Sequence, residues 1–70
     1  MRLPSENHAG FELSDEQDAS LEGLEASGQL RGWVVLLRAD SKRAVRVVDT
    51  SGAQFVISRK GEVTSLNADL

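Results

Sequence analysis

Between Trp33 and Ser58, three short apolar runs, WVVLLR, AVRVVD and AQFVIS, are set apart by ADSKR and TSG. Runs rich in Val, Leu and Ile, broken by Asp, Ser, Lys and Gly, predict an antiparallel three-strand meander. Arg59-Lys60-Gly61 marks another turn, and Glu62 to Leu66 predict a short fourth strand.

Upstream the period changes. Ser14-Asp15-Glu16-Gln17 is a capping-box pattern, in which the Ser14 hydroxyl accepts from the Gln17 amide and Gln17 reaches back. Asp15 and Glu16 suit the positive end of a helix dipole, so a helix is predicted to start at Asp15. It is expected to end near Ser27, with Gly28 as the left-handed cap. Its apolar stripe is thin, with Leu21 and Leu24 one turn apart, so it must dock on the strands to persist.

The flanks read as unstructured. Residues 1–10 combine Pro4, Gly10 and polar groups and predict a disordered leader, and residues 67–70 predict a frayed tail. A single domain is left at 11–66. The fold class is α+β: one N-terminal amphipathic helix packed on a three- to four-stranded antiparallel β-meander.

Two-residue turns at Ser41-Lys42 and Ser51-Gly52 set Leu37 opposite Arg46 and Val48 opposite Phe55. Side-chain alternation then sorts the strands into two faces. One holds Trp33, Val35, Leu37, Val48, Phe55 and Ile57, with Arg46 among them, and is the expected seat of the helix. The other holds Val34, Leu36, Val45, Val47 and Val56. Three fates are open to that aliphatic face: cover by Val63, Leu66 or the leader, pairing with a second copy, or docking of a different protein. Homodimerisation or a protein partner is the expected use.

Size sharpens that expectation. A 70-residue chain has room for one thin core, and domains near this length bury only about 60% of their unfolded surface. With no cysteine, neither disulfides nor thiolate metal sites reinforce it, which leaves self-association. The N-terminus has no secretory h-region and no run is long enough to span a membrane, so a cytoplasmic setting is expected.

Charge is zoned. Before Arg31 there are seven acids against Arg2, and from Arg31 onward seven bases against four acids. Arg46, on the expected helix face, is expected to pair with Glu22 or Glu25. Arg38, Lys42 and Arg43 gather at one turn and Arg59 and Lys60 at another, on opposite rims of the sheet by this reading. Together with Arg46 they are candidate anion or partner contacts, and they carry the alternative reading, a nucleic-acid-binding module. Against it stand the net charge of −3, the absence of tyrosine, and the expected burial of Trp33 and Phe55.

Signs of catalysis are missing. The sole histidine, His8, lies in the leader, and Glu6, His8, Glu12 and Asp15 match no metal-ligand spacing. No cofactor is implied. The sequence thus points to a small non-enzymatic interaction or regulatory module, contacting its partner through Val34, Leu36, Val45, Val47 and Val56.

Overall fold

The computed structural model of the chain describes residues 5–66. The expected tail at 67–70 and the first four residues of the leader lie outside them. Five strands and one helix follow in the order β1 (Ser5–Asn7), α1 (Asp15–Ala26), β2 (Val34–Arg38), β3 (Val45–Asp49), β4 (Gln54–Ile57) and β5 (Val63–Ser65). The strands form one sheet in chain order, β1-β2-β3-β4-β5. The class is α+β, with two differences from expectation: the sheet has five strands rather than three or four, and the helix follows a strand. β1 runs parallel to β2, so the sheet is mixed, whereas β2 to β5 form the antiparallel meander.

β1 comes from the leader that the sequence marks as disordered. Its residues are all exposed, so no hydrophobic period betrays them. Backbone pairing holds them instead: Ser5, Glu6 and Asn7 align with Val34, Val35 and Leu36, and the His8 N–H donates to the Leu36 carbonyl at 2.7 Å. The Asn7 side chain then turns the chain toward the helix, accepting from the Ala9 N–H and donating to the Phe11 carbonyl. Ala9 is buried in the core.

The helix forms where local chemistry dictates. The Gln17 N–H donates to Ser14 Oγ at 3.1 Å, and the Ser14 N–H donates to Gln17 Oε1 at 3.0 Å, which completes the capping box. At the other end Gly28 takes φ +78°, and the N–H groups of Gly28 and Gln29 close on the carbonyls of Glu25 and Leu24. That pair of bonds is the Schellman arrangement.

The two hairpins explain the facing of the strands. The first keeps the register that the sequence predicts, with Leu37 opposite Arg46 and Val35 opposite Val48, but it closes at Ala39–Ala44 around four residues rather than two, with Arg43 at φ +63°. In the second, Val47 lies opposite Phe55 and Val48 opposite Gln54, one residue away from the two-residue-turn register. Asp49 sets the difference. Its Oδ1 accepts from the N–H groups of Ser51 and Ala53, and its own N–H donates to the Ala53 carbonyl. The loop is therefore three residues, Thr50 to Gly52, and Gly52 closes it at φ +92°. A left-handed residue in third place is the usual solution for a loop of that length.

One residue of slip turns a whole strand over. Phe55 and Ile57 consequently join Val34, Leu36, Val45 and Val47 on one face, and the helix covers that face through Leu21 and Leu24, with Leu30 beyond the cap. Gln17 is also buried here. Its Nε2 donates to the carbonyls of Arg43, at 2.7 Å, and Ile57, at 3.2 Å, so the helix start is bonded to the β2–β3 turn and to β4. Gly61 lets the β4–β5 turn approach α1: a Cβ there would lie 2.9 Å from the Glu16 carbonyl oxygen. Ser20 Oγ donates to the Gly61 carbonyl across the same seam.

Candidate interaction surface

Four of the five residues expected to form the interface are core. Val34, Leu36, Val45 and Val47 lie beneath α1 and are inaccessible to any partner. Val56 alone stands elsewhere, half-buried on the opposite face. The correction follows from the flipped β4. Once Phe55 and Ile57 join the valines, that face has the larger apolar floor, and the helix packs where most apolar area can be removed from water.

The face left open is the one on which the two-residue-turn register seats the helix. Strand alternation places Val35, Leu37, Arg46, Val48, Gln54, Val56 and Thr64 there, with Glu6 on β1 at its margin. Trp33 precedes β2 and is 44% exposed, Leu37 is 36% exposed and Leu66, just after β5, is 46% exposed. Val35, Val48 and Val56 are half-buried by their neighbours alone. Arg46 lies on this open face, away from α1, so it does not pair with Glu22 or Glu25. Its guanidinium binds Gln54 Oε1, with Nε at 3.2 Å and Nη2 also in contact. Gln54 faces the neighbouring Val48 across the β3–β4 ladder, so this bond spans a diagonal of the sheet.

The basic residues are brought together rather than spread over opposite rims. In an up-and-down meander the β2–β3 and β4–β5 turns share one end of the sheet, and the two turns line a common cleft. This cleft, of about 490 Å³, is bounded by Asp40, Lys42, Ala44, Ser58, Arg59, Lys60 and Glu62. Arg38 and Arg43 belong to the same end, their guanidinium carbons 5.3 and 6.0 Å from the centre of the Phe11 ring. Arg38 Nε also donates to the Ala9 carbonyl, so this pair is committed to holding the leader against the sheet.

The far end is knitted by Asp49. Its Oδ2 accepts from the Arg31 N–H at 2.8 Å, and its Oδ1 accepts from Ser51 Oγ as well as from the two backbone groups. Burial on its own would raise the Asp49 pKa; the hydrogen bonds from Arg31, Ser51 and Ala53 outweigh it and hold the carboxyl below its ordinary value. Residues 31–33 are thereby fixed to the β3–β4 loop, with Thr50 N–H donating to the Trp33 carbonyl. This is what positions Trp33 at the lip of the open face.

Among the described residues, no group of three or more His, Asp or Glu side chains converges as a metal site, and no helix is long and apolar enough to cross a membrane. His8 contacts Glu6 at 3.2 Å on the exposed β1 side. Asp49 is the organiser that the strand pattern alone passes over. A signal for it exists in the repeated spacing Asp40-x-Lys42-x-Ala44 and Asp49-x-Ser51-x-Ala53, since in both loops the carboxylate accepts from the second and fourth N–H groups beyond it. Comparison with protein families, curated proteins and solved structures yields no match to this chain.

Proposed function

We propose that the protein is a small non-enzymatic interaction module of the cytoplasm, regulatory in role, that pairs with a second copy of itself through the open face of its sheet. The observation that carries this reading is the line of Trp33, Val35, Leu37, Val48, Val56 and Leu66 on a face that no other element among the described residues covers.

The molecule measures 30 × 28 × 18 Å, so its broad side has a footprint of at most about 840 Å². That compares with the roughly 800 Å² per partner of a standard stable interface. The face also suits a two-fold axis. Isologous pairing sets residue i against j and j against i, so a charge on such a face needs its opposite on the same face. Arg46 near the middle and Glu6 at the margin supply both, and the remaining contacts are apolar or neutral.

Sedimentation of the full chain tests the reading. Dimers are expected at micromolar concentration, and Leu37→Asp is expected to give monomers with an unchanged circular-dichroism spectrum, because Leu37 lies outside the core. A monomer for the unaltered chain throughout the high-micromolar range would refute self-association.

A further inference from the structure

We propose a second site, independent of the sheet face: the cleft between the β2–β3 and β4–β5 turns binds a small ligand bearing two or more linked phosphates, such as pyrophosphate or a nucleoside triphosphate. The cleft has the volume of small-molecule sites, which span roughly 300–1,000 Å³. Lys42, Arg59 and Lys60 line it together. Among the described residues no hydrogen bond or ion pair engages the side chain of any of these three. Three cations gathered in one concavity without partners repel one another and are stabilised by an anion of high charge density.

The surroundings favour this occupant. Of the two carboxylates in the lining, Glu62 offsets one of the three bases, and Asp40 is turned into its own loop, its Oδ1 accepting from the N–H groups of Lys42 and Ala44. Ser58 Oγ accepts from the Glu62 N–H at 3.0 Å, leaving the hydroxyl proton to donate into the cleft. A single carboxylate brings one charge, whereas a terminal phosphate brings about −1.5 to −2 and three acceptor oxygens, and each phosphate linked behind it adds further charge. Linked phosphates therefore match three cations and a hydroxyl better than one acidic side chain does.

Two observations weigh against a long nucleic acid here. The start of α1 sits at this end, with Ser14 Oγ donating to the Arg59 carbonyl, and it carries Asp15, Glu16 and Asp18. Those acids confine the positive field to the cleft, so an extended polyanion would run onto carboxylates. Trp33, the exposed aromatic on which a base could stack, precedes β2 and so lies at the other end of the sheet.

The test is a titration of the full chain, followed by amide chemical shifts, with pyrophosphate, adenosine triphosphate, adenosine, a glutamate-rich peptide and single-stranded oligothymidylate. Pyrophosphate and adenosine triphosphate are expected to move the amides of Lys42 and of Ser58 to Glu62 saturably, and adenosine is expected to leave them in place. Lys60→Glu and Lys42→Glu, both at exposed turn positions, should each weaken binding by about tenfold or more, the loss of a charge-assisted contact. Leu37→Asp should bind pyrophosphate as the parent does, which separates this site from the sheet face. The proposal is overturned by the absence of saturable shifts at about 10 mM pyrophosphate, a concentration that would half-fill even a site worth under 3 kcal/mol. It is equally overturned by undiminished binding in the two lysine variants, or by tighter binding of the peptide or the oligonucleotide than of pyrophosphate.

Discussion

Burial opposes the charge on Asp49, and the N–H groups of Arg31, Ser51 and Ala53 with the Ser51 hydroxyl overcome that opposition. The sign of the resulting pH dependence follows. A carboxyl whose folded pKa is depressed contributes stability that is present above its unfolded value, here near 3.8, and is lost as pH falls through the lower folded value. Asp49→Asn keeps an acceptor toward Ser51 and Ala53 but removes the charge. It also sets an NH2 against the Arg31 N–H, and its cost is expected to be about 1–2 kcal/mol larger at neutral pH, the increment of a charged over a neutral acceptor, than in acid below the folded pKa of Asp49. Urea denaturation at a series of pH values, parent against variant, measures the difference. A gap that stays constant across acid pH would mean that the carboxylate charge contributes nothing to this end of the fold.

Between elements, the seam of α1 with the sheet depends on Gln17, and its two ends can be separated by substitution. Gln17→Ala removes the return bond to the Ser14 N–H and strands the carbonyls of Arg43 and Ile57, for an expected loss of about 2–3 kcal/mol at any pH. Gln17→Glu keeps the bond to Ser14 but points an acceptor at two carbonyls. Burial and those carbonyls raise the pKa of the introduced acid, so its stability is highest below the unfolded value of about 4.3 and falls as pH rises through the folded one. The alanine variant should thus show no pH-dependent gap and the glutamate variant a gap that widens toward neutrality, both read by chemical denaturation. The capping half of Gln17 is legible in the sequence because Ser14 and Gln17 are three residues apart, whereas the bonds to Arg43 and Ile57 are not, since they span 26 and 40 residues. Locality also divides the strands. The Leu37–Arg46 pairing can be read from its turn, but the Val47–Phe55 pairing depends on how the Asp49 side chain closes the next one. That single residue of register moved Phe55 and Ile57 to the valine face, exchanged core for surface, and hid the open face from a reading based on alternation. β1 was invisible for a further reason: Ser5, Glu6 and Asn7 bury nothing and are held by backbone pairing to a distant strand.

For the whole molecule, the consequence of two layers is asymmetry. One helix covers one face of a five-stranded sheet, acids occupy the helix, and the bases gather at the end where two turns meet. A chain this small has little stability to spare, and an association that buries its second face adds to it by mass action. Folding and pairing are then linked, so the thermal midpoint must depend on protein concentration. Each tenfold increase adds about 1.4 kcal/mol per dimer, or about 0.7 per chain, and 1 kcal/mol moves the midpoint of such a domain by about 4–8 °C. The unaltered chain is therefore expected to melt roughly 3–6 °C higher for every tenfold increase in concentration, over the range in which dimers predominate. Leu37→Asp should melt at one temperature throughout, because its uncovered face has lost the capacity to pair. Trp33, the chain's one tryptophan, provides an internal reporter, since it lies at the edge of the proposed contact. Its emission should shift to shorter wavelength as concentration rises in the parent and stay fixed in the variant. A midpoint and an emission maximum that both ignore concentration in the parent would place the open face in water, and the sheet would then be stabilised by its helix alone.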